Sequence, residues 1–173
     1  MTTTEPKPAL PVLPRLPEEL VASSAFLLKR LGYAAKEQAM EAYERTGLHP
    51  YHHAVLAVLD ESSRETQGAI ADALGYDRGQ LVGLLDDLEE RGLVERRRDT
   101  GDRRRHLVRL TPAGKRTLAR LRTLAQEIED ELLAPLDEAQ RAQLHALLLS
   151  LAQKHLPHCG TATVSYPTNP GGS

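Results

Sequence analysis

From Leu93 to Thr111 the chain reads LVERRRDTGDRRRHLVRLT, two runs in which apolar and polar residues alternate on either side of a turn centred on Gly101. Alternation has the period of a strand, and a glycine that can take positive φ lets a short turn reverse the chain, so the stretch predicts a β-hairpin. Two short helical patterns stand immediately upstream. TQGAIADAL is entered at Thr66 and stopped by Gly75, and DRGQLVGLLDDLEERGL is entered at Asp77 and stopped by Gly92. In the second, Leu81, Leu84, Leu85 and Leu88 fall at i, i+3, i+4 and i+7, which leaves Arg78, Gly79, Val82, Gly83 and Asp86 broadly outward. Two short helices followed at once by an arginine-rich hairpin have the order of a winged helix-turn-helix, with the hairpin as the wing.

Longer periodic segments flank this unit. From Glu18 to Arg45, Leu20, Ala25, Leu28, Leu31, Ala35 and Ala39 recur at helical spacing, with Gly32 a weak point near the middle. GLHPYHHAVLAVLDE predicts a second helix with Pro50 in its first turn and Val55, Val58 and Leu59 inward; His49 falls at its N-cap, where Thr or Ser would cap better. Thr111-Pro112 opens a long helix through about Leu132. Asp137, with Gln140 three residues later, makes a capping-box-like start for a last helix ending near His155. The expected fold class is mainly α with a small β-wing: a winged helix-turn-helix at about 50–111 between long helices at about 17–46 and 112–156. Proline-rich residues 1–16 and turn-rich residues 157–173 read as tails. The long helices carry more apolar positions than one small winged domain can bury, so they ask for a partner and read as dimerisation helices.

Composition narrows the function. The 173 residues are 40% hydrophobic but only 3% aromatic, with no Trp, so Leu, Ala and Val must build a core, which favours helices. No apolar run approaches the roughly 20 residues that span a bilayer, and the N-terminus lacks the apolar run of a signal peptide, so the expected place is the cytoplasm, with no membrane partner. Cys159 stands alone, which excludes an internal disulfide. There is no G-x-S-x-G, Gly-rich phosphate loop, H-E-x-x-H or C-x-x-C, so an enzyme is not expected, and no cofactor is implied.

Formal net charge is only -2, yet Arg96, Arg97, Arg98, Arg103, Arg104 and Arg105 crowd one hairpin. Duplex DNA releases condensed counterions for each phosphate neutralised, so local charge suffices for binding even in a mildly acidic protein. Histidines form two groups: His49, His52 and His53 at a helix start, and His155, His158 and Cys159 near the end. Both contain metal-ligand types, but neither has paired spacing specific enough for a site, so no metal is assigned; a zinc-responsive regulator of the same fold is the alternative reading.

The run from Thr66 to Leu121 resembles the MarR family of bacterial transcription regulators, above all in LEERGLVER, GDRR and LVRLTPAG in that order and spacing, and the likeness extends from about Leu20 to Leu156. The resemblance implies a homodimer that grips a pseudo-palindromic double-stranded operator and is released, most simply as a repressor, by a small phenolic or anionic aromatic effector. It implies that Asp102 orients Arg104 into the minor groove at the wing tip, where narrow A·T-rich DNA has enhanced negative potential. It places Arg78, Gly79, Gln80, Val82 and Gly83 on the recognition helix, and Arg96, Arg97, Arg98, Arg103 and Arg105 beside Asp102 and Arg104 on the wing. Tyr33, Tyr43, Tyr51, His52 and His53 are the effector-pocket candidates, since phenol and imidazole groups offer hydrogen bonds to such a ligand. The chain departs from the family at Gly83 and Asp87, where many members carry polar or basic residues. An acid near phosphate costs affinity unless turned away, so the wing is expected to carry a larger share of binding, and a dimeric interaction protein with weakened DNA specificity is a further alternative.

Overall fold

The structure is a computed structural model, and it describes residues 15–62, 65–98 and 106–156. Contacts divide the chain into two units, Met1–Glu37 and Gln38–Ser173. In chain order the helices and strands are α1 (Glu18–Val21), α2 (Ser24–Glu44), α3 (Pro50–Ser62), β1 (Glu65–Thr66), α4 (Gln67–Leu74), α5 (Arg78–Glu90), β2 (Val94–Arg98), β3 (His106–Leu110), α6 (Pro112–Leu132) and α7 (Glu138–His155). This is the mainly helical winged helix-turn-helix expected from the pattern.

The first unit corrects one expectation. Glu18 to Arg45 is two helices, and the break lies at Ala22–Ser23 rather than at Gly32. Ser23 Oγ accepts the N–H of Phe26 at 3.3 Å, an N-cap that starts α2 afresh. Gly32 is carried inside a 21-residue helix that absorbs its cost of about 1 kcal/mol relative to Ala.

In the second unit the core is almost wholly aliphatic. Val55, Leu56 and Leu59 of α3, Ile70 of α4, Leu81, Leu85 and Leu88 of α5, Val94 and Val108 of the sheet, and Leu118 and Leu121 of α6 are buried together. The i, i+3, i+4, i+7 spacing of α5 holds, with Leu84 half-buried at the edge of the row. Fully burying each such side chain stabilises by about 1.5–3 kcal/mol.

The sheet has three strands, not two. β3 lies between β2 and β1, all antiparallel, with Val94 opposite Leu110, Arg96 opposite Val108, and Glu65 also opposite Val108. β1 is only two residues long, too short for alternation to show, and its Thr66 also caps α4 by accepting the N–H of Ala69 at 3.2 Å.

The ends of α5 and α6 are tied to the sheet. Gly92 at φ 67° lets its N–H reach Glu89 O and that of Leu93 reach Leu88 O, closing α5 as the chain enters β2. Thr111 Oγ1 donates to Gly92 O at 2.7 Å and accepts the N–H of Gly114 at 3.0 Å. A Cβ on Gly114 would lie 2.0 Å from Leu93 O, so the start of α6 can approach the strand only because residue 114 has no side chain. At the other end of the chain, Asp137 and Gln140 form the expected capping box of α7.

Candidate nucleic-acid interface

α5 starts at Asp77, whose Oδ1 accepts the N–H groups of Gly79 at 2.8 Å and Gln80 at 3.2 Å. Arg78, Gly79, Gln80 and Gly83 are exposed, and Val82 is 42% exposed. A Cβ on Gly79 would sit 3.0 Å from the capping oxygen, whereas one on Gly83 would meet nothing within 4 Å. Gly79 leaves room for the cap, while Gly83 leaves bare backbone on the outer face. All five recognition-helix candidates are therefore accessible to solvent.

The acids of α5 are largely spoken for within the chain. Arg96 lies between Asp86, at 2.5 Å, and Glu89, at 2.6 Å, and its backbone N–H also donates to Glu89. The bond from Arg96 holds the Glu89 carboxyl below the usual carboxylate range, and Glu89 in turn raises the affinity of Arg96 for its proton. Arg96, expected on the DNA-facing wing, is thus a clamp between α5 and β2. Asp87 accepts from Arg91 Nε at 2.9 Å and lies 3.1 Å from His52 Nε2, so the acid that departs from the family pattern is already partnered inside the lobe.

Arg97 and Arg98 are exposed at the end of β2. Arg97 lies 3.3 Å from Glu95, which also accepts from its cross-strand partner Arg109; hydrogen bonding from Arg109 is the main reason the Glu95 carboxyl is held below its usual range. Asp102, Arg103, Arg104 and Arg105 lie outside the described residues.

The histidines at the start of α3 cap it with imidazoles. His49 Nδ1 accepts the N–H of Tyr51 at 3.3 Å, and His52 Nδ1 accepts that of His49 at 3.0 Å, a reciprocal pair that corrects the expectation of a poor cap. Because Nδ1 of His52 is an acceptor, its proton sits on Nε2 and points at Asp87. Burial lowers the His52 pKa, Asp87 opposes that shift, and Arg91 and His49 add to it. His53 Nδ1 lies 2.6 Å from the Tyr43 hydroxyl; burial pushes the phenol up and the imidazole down, so the phenol donates to a neutral ring. Tyr51 meets Tyr76 edge-on, with ring centroids 5.4 Å apart.

None of the five expected effector-pocket residues lines the cavity of about 420 Å³ found in the second unit. Tyr43 and His52 are buried and committed to packing, His53 to Tyr43, and Tyr51 to its aromatic neighbours, while Tyr33 is exposed on α2 in the first unit. The cavity has Leu48, Leu93 and Leu121 as its buried part and Arg91, Thr117 and Arg120 among its other walls. Nothing in the single-chain pattern pointed to it, because its walls come from three separated segments. Among the described residues no group of three His, Cys, Asp or Glu side chains could hold a metal ion, and His158 and Cys159 lie outside them. No helix among the described residues is long and apolar enough to cross a membrane.

Comparison with known proteins agrees with this architecture. Residues 46–105 match the model of the MarR family. A relative in Thauera aromatica, described as a putative transcriptional regulatory protein for the hcr operon, is 33% identical over 127 residues, 73% of this chain and 76% of that one. The repressor CouR bound to a 23-mer DNA duplex superposes with a TM-score of 0.72 at 35% identity, covering 80% of this chain and 99% of that chain. CouR from Rhodococcus jostii RHA1 bound to p-coumaroyl-CoA gives 0.67 at 28% identity, over 81% and 99%. With its helix pair, its antiparallel wing strands and these relatives, the chain belongs to the MarR family of DNA-binding transcriptional regulators.

Proposed function

We propose that the protein is a homodimeric repressor that binds a pseudo-palindromic operator and is released by a small organic anion. The observation that carries the DNA side of this reading is the outer face of α5, where Arg78, Gln80, Val82 and Gly83 are accessible while Asp77, Asp86, Asp87 and Glu89 are each engaged by groups of the same chain. A helix so arranged offers donors and a thymine-compatible apolar side chain to a major groove with few bare carboxylates against the phosphates. Arg97 and Arg98 extend positive charge along β2. The DNA duplex and the acyl thioester named with CouR support an operator and an anionic effector for this chain.

Titration of the full chain against its own upstream region and a random duplex, at several salt concentrations, tests the reading. Arg104→Ala should weaken operator binding more than Arg97→Ala and flatten preference for A·T-rich flanks, since shape readout in a narrow minor groove goes through that guanidinium. Arg97→Ala should lose affinity nearly uniformly, with the slope of log affinity against log salt falling by about 0.9 for one phosphate contact. Equal, sequence-independent losses for both would leave specificity to Arg78 and Gln80; no preference for any upstream fragment over random duplex would overturn the proposal.

A further inference from the structure

We propose that Asp87 and His52 are positioning residues for sequence recognition: together they fix the roll of α5 about its own axis and so decide which base edges its outer face meets. The proposal rests on the reading of α5 as the DNA-reading helix. Side chains four residues apart on a helix stand one above the other, so the outer face of α5 is made of two rows. One runs Arg78, Val82, Asp86, and the other runs Gly79, Gly83, Asp87. Each row ends, one turn beyond its accessible members, in an acid tied to a different element: Asp86 to Arg96 of β2 at 2.5 Å, and Asp87 to His52 of α3 at 3.1 Å.

The core beneath sets the roll less tightly. Leu81, Leu85 and Leu88 are buried among mostly aliphatic neighbours, and apolar contact has no direction, whereas a hydrogen bond weakens steeply once tilted off line. The bond to His52 is firmly anchored. Its imidazole is 9% exposed and both ring nitrogens are engaged: Nδ1 accepts the N–H of His49 at 3.0 Å, so the neutral ring carries its proton on Nε2, facing Asp87 Oδ2. The backbone N–H of His52 in turn donates to His49 O at 2.9 Å, which closes the ring onto the start of α3. Within α5 itself, Arg91 Nε donates to the other oxygen of Asp87 at 2.9 Å and holds the carboxylate in line with the imidazole. An acid that lowers DNA affinity by its charge thus raises selectivity by its geometry.

The two effects have opposite signs, and the test uses that. Duplexes selected from a random pool by the full chain supply a preferred site. Affinity for that site and for random duplex is then compared for the parent, Asp87→Ala, His52→Ala, His52→Gln and the double Asp87→Ala, His52→Ala variant, at about pH 7.5, where the imidazole is neutral. Asp87→Ala should bind random duplex more tightly, since an acid has left the face, yet bind the preferred site roughly tenfold more weakly. His52→Ala should lose the preferred site to a similar degree with random binding unchanged. His52→Gln carries an N–H donor as many bonds from the backbone as Nε2 and should recover most of that loss. The double variant should be no weaker on the preferred site than Asp87→Ala, because both substitutions break one link. Asp87→Ala that tightens both duplexes alike overturns the proposal, as do single losses that add in the double variant. Parallel losses on both duplexes, equal for His52→Ala and His52→Gln, would show a loosened fold and also overturn it. A pool that yields no preferred sequence removes the DNA-reading role and the proposal with it, whereas selectivity that survives in every variant removes the proposal alone.

Discussion

Gly114 shows how a single residue can hold two elements together by having no side chain. The 2.0 Å approach of its would-be Cβ to the Leu93 carbonyl oxygen is to backbone, which cannot swing aside as a flexible side chain would. Gly114→Ala must push the start of α6 off the strand, breaking the Thr111 bond to Gly92 O, and should cost about 1–3 kcal/mol in urea denaturation. An unchanged midpoint would show that the junction is looser than its geometry. His52 works by charge. Burial lowers its pKa from the ordinary 6.5, so the unfolded chain takes up a proton more readily than the folded one. The sign follows: stability is complete above pH 6.5 and is lost as pH falls toward the folded-state value. His53, lowered by burial and by Arg122, acts in the same direction. The melting temperature should therefore drop between about pH 7 and pH 5, and His52→Gln should flatten that dependence; a parent protein equally stable at both would contradict it.

At the scale of elements, Arg96 joins the recognition helix to the wing. With a side chain only 21% exposed and carboxylates on both sides, it fixes where β2 leaves α5 and hence where the wing arginines start. Arg96→Met should cost about 1 kcal/mol of stability and weaken DNA binding, because Asp86 and Glu89 are left as two bare charges facing phosphate. If the clamp reading is right, adding Asp86→Asn and Glu89→Gln should restore most of the affinity. A direct phosphate contact would leave that triple variant as weak as the single one.

At the scale of the whole molecule, the chain has apolar surface that its own core does not cover. Leu27, Leu28 and Leu31 of α2 are 40%, 49% and 58% exposed, and Leu147, Leu148 and Leu151 of α7 are 59%, 39% and 49% exposed. Single exposed leucines are ordinary, but rows of them at helical spacing are not. We expect the full chain of 19.1 kDa to scatter light as a dimer, and Leu148→Glu with Leu151→Glu to yield a monomer that loses tight operator binding. A parent protein that scatters as a monomer would refute this. Leu121 of α6, by contrast, is 2% exposed within the chain's own core and is not available to a partner.

Local chemistry was legible in the sequence because it repeats at short range. Thr66, Asp77, Thr111 and Asp137 each stand at the N-cap the pattern placed there, Gly75 and Gly92 close the helices they were read to close, and alternation found both wing strands. The resemblance carried the family, since LEERGLVER and LVRLTPAG encode helix end, strand and helix start in one register. What spacing could not show is which charges meet across elements. Arg96 and Asp87 looked like a DNA contact and a liability; only the packing of α5 against β2 and α3 showed the first as a clamp and the second as the partner of His52 and Arg91. The two-residue β1 and the cavity between Leu48, Leu93 and Leu121 had no sequence signal for the same reason. A ladder partner or a cavity wall is a relation between distant segments, and its free energy exists only once the core has brought those segments together.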